Sequence, residues 1–344
     1  MKKTFAYVSD LVPGMKIAET VLNDYGAIVM SEGTIVDYNT INKLKNIGLY
    51  RVQIFEEEFE DIESEHLFIK KHAENVKKAK ELINDISNGK GVEASQMDNV
   101  VDSVLDRLEE RRDIVSCLNQ IRTVDEYLYS HSINVSLISM LIGKWMKLGE
   151  DKVRLLVQAG LLHDIGKTKT PYEILNKPGK LTKEEFEEMK KHTIYGYRIL
   201  EQSSSVDKDV LAAVLMHHEK EDGSGYPTGL TSEKINLLTK IVSVADIFDA
   251  MTSNRVYKEK ESPFEVFKYM EEDSLGKLSP IVVNVLLSNL ANYYIGDRVS
   301  LSSGEIAEIV YVNPRCVSKP IIKIGDRYID MLVEKDVKIK EIIA

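Results

Sequence analysis

Leu161-Leu162-His163-Asp164-Ile165-Gly166-Lys167 sets a histidine beside an aspartate at the end of an apolar helical run, with a lysine three residues further on. Adjacent His-Asp is common by chance in 344 residues, so its meaning depends on where the other histidines and one further aspartate fall. Five of the seven histidines, His131, His163, His192, His217 and His218, lie between residues 131 and 218. His66 and His72 lie in a charged helical region and are expected on the surface.

Around this stretch, residues 119–291 are dense in helical periodicity. Arg122 to Leu148 carries Val135, Ile138, Ile142 and Trp145 on one stripe that begins at His131. Asp151 to Leu162 leads into His163-Asp164. Thr182-Lys183-Glu184-Glu185 is a capping-box start for a helix to about Leu200, with His192 on the face of Met189 and Gly196. A helix from about Asp207 ends in His217-His218, and a glycine-rich loop follows. Leu237 to Ser253 carries Asp246 and Asp249 at i, i+3 on one face. Pro263 to Met270 and Ile281 to Leu290 add further helix. Any one of these histidines could be structural. Together they bring imidazole or carboxylate from several helices to one axis, as metal sites in helical bundles do. Buried imidazoles without partners are costly, whereas a divalent metal uses their lone pairs.

The flanks read differently. Residues 1–60 form a β-rich module of short apolar runs (Ile28 to Met30, Tyr50 to Phe55) with one helix from Tyr38 to Ile47, stopped by Gly48. The acidic run Glu56 to Glu65 is a solvated linker or a helix start. Residues 61–118 are a helical linker or hairpin broken at Asn88-Gly89-Lys90-Gly91, able to pass on a signal or to form a homodimer. Residues 292–344 alternate in the manner of strands and suggest a small five-strand barrel or meander. The expected fold is therefore multidomain and mainly α, with a central all-α helical bundle between a β-rich module and a β-barrel-like tail.

Composition narrows the class. A hydrophobic fraction of 43% with 29% charged residues suits a globular protein, and a net charge of −10 argues against nucleic-acid binding. The β tail holds eight basic and eight acidic side chains and adds no basic face. Only two cysteines, Cys117 and Cys316, are present, which fits a reducing cytoplasm. No signal-peptide core occurs, and no apolar run nears the roughly 18 residues of a membrane span.

His131, His163-Asp164 and Asp246 match the H…HD…D pattern of the HD phosphohydrolase superfamily. The strings HDIGK, PYEILNKPGKLTKEEFEEMKKHTIYG, HHEKEDGSGYPTGL and IVSVADIFDAMTSNRVYK resemble its HD-GYP branch, the bacterial cyclic-di-GMP phosphodiesterases, over about half of the chain. The resemblance implies a binuclear centre: His131, His163, Asp164 and Asp246 on one metal, with Asp164 bridging to a second held by His192, His217 and His218. Mixed nitrogen and oxygen donors suit Fe or Mn, then Ni or Zn, better than Ca. Some members place a glutamate four residues before the first histidine for a third metal; Tyr127 stands there, beside Asp125 and Glu126, so two metals are expected and a third is left open.

The same resemblance assigns Lys167 to catalysis, with a surface lysine as the alternative. It gives Arg255 and Lys258 to substrate, where arginine offers bidentate contact and lysine a point charge. Tyr226, in the loop Gly223 to Gly229, would wall the substrate pocket or meet a diguanylate cyclase domain; a plain tight turn is the other reading. Asp249 would orient a ligand or water, or lie on the helix surface. Val256 and Asn236 replace usual prolines, which should alter loop rigidity only. The implied reaction is hydrolysis of cyclic di-GMP to pGpG, and on to GMP, by metal-activated hydroxide. The rivals are an HD-type phosphohydrolase for another cyclic dinucleotide or nucleotide, and a non-catalytic cyclic-dinucleotide-binding scaffold.

Overall fold

The computed structural model describes residues 3–8, 11, 15–22, 28–36, 38–46, 48–55, 57–91, 93–105, 127–203, 205–252, 263–290 and 294–343. The chain divides into two compact units, Met1–Ala73 and Glu74–Ala344.

In the first unit, β1 (Lys3–Tyr7) pairs antiparallel with β4 (Arg51–Phe55), and β2 (Val21–Leu22) with β3 (Ile28–Met30). Strand alternation places Val52 and Ile54 inward, against a core that includes Met15, Ile17 and Leu44. Helix α1 (Tyr38–Asn46) stops at Gly48, whose φ of +73° is the left-handed conformation that glycine adopts without strain. The acidic run opens α2 (Glu57–Ser87), a 31-residue helix. His72 is a correction: it is buried, because it shares a helical stripe with Val76, Ala79 and Ile83.

In the second unit, the end of α2 and α3 (Ala94–Leu105) flank the glycine turn. They are tied by Asn75, which donates to the Ser103 carbonyl and accepts from its hydroxyl. Helix α4 (Tyr127–Trp145) is buried on every side from Ser130 to Gly143, where the periodicity shows a single stripe. It lies among α5 (Glu150–Leu162), α9 (Leu237–Thr252) and α11 (Pro280–Leu290), and is the spine of the bundle. Gly160 permits the α4–α5 approach, since a Cβ there would fall 2.6 Å from the Ser136 backbone.

The expected helix from 183 to about 200 is two helices, α6 (Lys183–Lys190) and α7 (His192–Leu200), parted at Lys191. Thr182 and Glu185 form the capping box. Helix α8 (Lys208–Met216) is capped by Asp207, and Asn236 caps α9 by accepting from Thr239 N–H, an acceptor that a proline there would lack. Helix α10 (Pro263–Lys268) precedes α11.

The C-terminal strands β5 (Arg298–Leu301), β6 (Ile306–Asn313), β7 (Cys316–Ile324), β8 (Arg327–Asp330) and β9 (Ile339–Ile343) form one antiparallel sheet in the order β8-β7-β6-β5-β9. The expected barrel-like closure is corrected: β9 returns to β5, which leaves β8 and β9 as open edges. The Glu271 carboxylate accepts from Val317 N–H, Ser318 N–H and the Ser318 hydroxyl, fixing β7 to the helical bundle. Among the described residues no helix is long and apolar enough to cross a membrane.

Candidate metal centre

Five elements converge on Asp164. His131 comes from α4, His163 and Asp164 from the end of α5, His192 from the start of α7, His217 and His218 from the end of α8, and Asp246 from α9. Asp164 Oδ2 lies 3.6 Å from His131 Nε2 and 3.4 Å from His163 Nε2, and its Oδ1 lies 3.3 Å from His192 Nε2 and 3.8 Å from His217 Nε2. Asp246 Oδ1 is 3.0 Å from His131 Nε2, and its Oδ2 is 3.8 Å from His218 Nδ1. Two donor groups result, His131–His163–Asp164 and Asp164–His192–His217–His218, and within each the donor atoms lie inside 4.8 Å of one another. Asp164 belongs to both.

The backbone explains the aim of the imidazoles. His163, His192 and His217 each follow directly on, or within two residues of, a helix C-terminus, where the last carbonyls lack intrahelical donors. Each turns Nδ1 onto the carbonyl three residues back: Gly160 at 2.8 Å, Met189 at 2.6 Å and Val214 at 3.0 Å. A carbonyl only accepts, so Nδ1 carries the proton and the Nε2 lone pair faces inward. His131 Nδ1 instead meets Asp249 Oδ2 at 2.7 Å, while Asn134 donates to Asp249 Oδ1 at 2.9 Å. Asp249 is 3% exposed, which removes the helix-surface reading, and its carboxylate is turned onto the imidazole of His131. Gly166 is demanded by the same packing, since a Cβ would fall 1.9 Å from the His192 carbonyl oxygen.

His163 Nε2 and Asp164 Oδ1 are buried without a hydrogen bond, a costly state for a cluster meant only to hold the fold together. Divalent cations supply what these atoms lack, and the mixed imidazole and carboxylate set fits them. Lys167 Nζ donates to Asp164 Oδ2, so the ammonium reaches the centre; its side chain is 22% exposed.

Electrostatics sort the histidines. Burial lowers His192 to about 4 and His218 to about 3, and puts His217 well below its ordinary value. Burial also opposes charge on His131, but its hydrogen bonds to the Asp246 and Asp249 carboxylates outweigh burial and raise it to about 9. Burial works against charge on Asp164 as well; Lys167 and His163 overcome it and hold the carboxyl well below the carboxylate range. Between pH 6.5 and about 4 the unfolded chain protonates a histidine that folded His192 leaves neutral. Stability of the metal-stripped protein therefore falls with falling pH by up to ~1.4 kcal/mol per pH unit for each such histidine. His131 runs the other way: its contribution is whole below pH 6.5 and is lost as pH rises through about 9. Thermal melts of chelated protein at pH 7 and pH 5 check this, with the lower Tm expected at pH 5.

The glycine loop is built around a residue that the sequence did not single out. Buried Glu219 accepts from Thr228 N–H and Oγ–H, Gly229 N–H and Leu230 N–H. Gly223 and Gly229 take positive φ, whereas Gly225 is needed for close approach, a Cβ there falling 2.4 Å from Lys220 N. Tyr226 is thereby set against His218, ring centroids 4.7 Å apart. Glu219→Gln puts an NH2 group against these donors, so a loss of about 1–3 kcal/mol is expected. A lowered Tm and faster proteolysis of residues 222–230 measure it. Asn134 was also missed, although a polar residue three positions after His131 in an apolar helix was its signal. Arg255, Lys258, Val256, Asp125, Glu126 and Cys117 lie outside the described residues, as does the side chain of Tyr127.

A family model described as HD domain matches residues 107–280, about half of the chain, and the chain belongs to the HD domain family. It is 34% identical over 243 residues to the cyclic di-GMP phosphodiesterase PA4108 of Pseudomonas aeruginosa, covering 71% of this chain and 58% of that one. It is 44% identical over 184 residues to a cyclic di-GMP phosphodiesterase of Thermotoga maritima, covering 53% and 49%. A 3′3′-cGAMP-specific phosphodiesterase 1 of Vibrio cholerae is 35% identical over 179 residues, covering 51% and 41%. The chain thus spans roughly half the length of these relatives. In fold it is similar to Bd1817, a HDG"Y"P protein from Bdellovibrio bacteriovorus, with a TM-score of 0.54 at 19% identity over 83% of this chain and 98% of that one.

Proposed function

We propose that the chain is a metal-dependent phosphodiesterase that hydrolyses cyclic di-GMP to linear pGpG, with GMP as a further product. The observation that carries this is Asp164, whose two oxygens face separate sets of inward-turned imidazoles. In this reading His131, His163, Asp164 and Asp246 hold one divalent cation, and Asp164, His192, His217 and His218 a second, with Fe or Mn ahead of Ni or Zn. Such a pair lowers the pKa of water and offsets charge on phosphoryl oxygens.

The chain's own groups do the rest. Lys167, held on Asp164, is placed to offset charge or deliver a proton at the leaving oxygen. Asp249, itself held by Asn134, keeps His131 oriented. Tyr226 walls the site beside His218. Arg255 and Lys258 take a phosphate or a guanine edge. A cytoplasmic location follows from this substrate class and the thiol-poor composition.

The relatives named for cyclic di-GMP support this substrate, and the one named for 3′3′-cGAMP sets the rival. Steady-state kinetics on cyclic di-GMP, 3′3′-cGAMP and pGpG, with metal content measured on the same sample, test it. The expected order places cyclic di-GMP first. Faster cleavage of 3′3′-cGAMP would move the substrate, and a metal-loaded protein inert on all three would leave a binding scaffold.

A further inference from the structure

Helix α6 buries none of its residues, yet it carries a phenylalanine among lysines and glutamates. Phe186 is 48% exposed. The helix does not need it for anchorage, since the capping box and the Lys177–Glu185 ion pair hold its start. The phenylalanine instead meets the glycine loop: its ring stands edge-on to Tyr226, centroids 6.4 Å apart at 81°. Lys190, one turn on, places Nζ 5.5 Å from the Phe186 centroid and 5.7 Å from that of Tyr226, and is itself paired with Glu187 at 2.6 Å. Tyr226 in turn lies against His218 of the metal centre. A ledge of rings therefore runs outward from the centre, with an exposed aromatic at its far end and a cation beside it.

We propose that Phe186, with Tyr226 and Lys190, is a stacking platform for one nucleobase of the substrate. A base offers a π-face to an exposed ring whatever its hydrogen-bonding edge. A cyclic dinucleotide whose phosphate sits at Asp164 carries its bases away from the phosphodiester, and the ledge offers a π-face outside the same centre. Lys190 adds cation–π attraction beside both rings. The inference rests on the cyclic-dinucleotide reading above and extends it from the reacting phosphate to the base.

A cyclic dinucleotide bearing 2-aminopurine, whose fluorescence is quenched by aromatic stacking, tests this on the metal-loaded chain. Quenching is expected with the wild type and with Phe186→Trp, and is expected to be lost with Phe186→Leu, which keeps apolar bulk without a π-face. KM for cyclic di-GMP should rise roughly 5- to 150-fold in Phe186→Leu with kcat little changed, the size of one lost base–aromatic stack. Full quenching and an unaltered KM in Phe186→Leu would overturn the platform, as would a fall in kcat without a rise in KM. Quenching by a wild type that hydrolyses no cyclic di-GMP would leave the platform standing and overturn the hydrolytic reading.

Discussion

Asp164→Ala is expected to yield protein without bound transition metal and with turnover of cyclic di-GMP lowered at least ~10³-fold, the equivalent of several kcal/mol of lost charge stabilisation. The size follows from position. Asp164 is the one donor common to both groups, and it is almost wholly buried. Its removal takes away the carboxylate that His192 and His217 face, leaves His131 and His163 only that of Asp246, and halves the charge that would balance two cations. Metal analysis and kinetics on the same preparation give the result, with circular dichroism to establish that the variant is folded. Asp164→Asn sharpens it by keeping shape and one acceptor oxygen while removing the charge, and metal should still be depleted. A folded Asp164→Ala protein with full metal content would show that the imidazoles suffice and that the aspartate is no bridge.

Lys167→Met is expected to do the opposite to metal content and much the same to rate. The ammonium donates to Asp164 Oδ2 and is no ligand, so both cations should remain. kcat should fall by about 10²–10³, as when a single preorganised donor to a developing oxyanion is removed. Lys167→Arg should not restore it, because a planar guanidinium cannot place a compact charge within one turn of Asp164. A loss of metal in parallel with rate would instead show that retention of the cations depends on Lys167 and would remove its separate part in turnover.

The side chains of the candidate metal centre were legible because their positions break local rules in the same way. His131 interrupts a largely apolar helix, His163 and His217 directly follow helix ends, and Asp246 lies in a helix whose other charged residues are Lys240 and Asp249. Spacing of that kind lies within a single element and can be read from it. What could not be read were partners supplied across elements. Asp249 had two readings until α9 was packed on α4, which placed its carboxylate against His131 and Asn134. Glu219 looks like an ordinary charge after His218, and its four donors lie nine to eleven residues away in a loop whose shape no periodicity encodes. His72 was misplaced since flanking lysines masked the stripe it shares with Val76 and Ala79. The break at Lys191 was hidden by helix-favouring residues on both sides, although it is what puts His192 within reach of the Met189 carbonyl. Closure of the C-terminal strands depends on which strand pairs β9, a choice that alternation leaves open.

Chromatography of cyclic di-GMP incubated with the metal-reconstituted chain, followed over time, tests whether this chain opens the cyclic phosphodiester. Cyclic di-GMP should be consumed and pGpG should appear in equal amount before any GMP, with no conversion in Asp164→Ala. Cyclic di-GMP recovered intact from wild-type protein carrying its full complement of metal would contradict it.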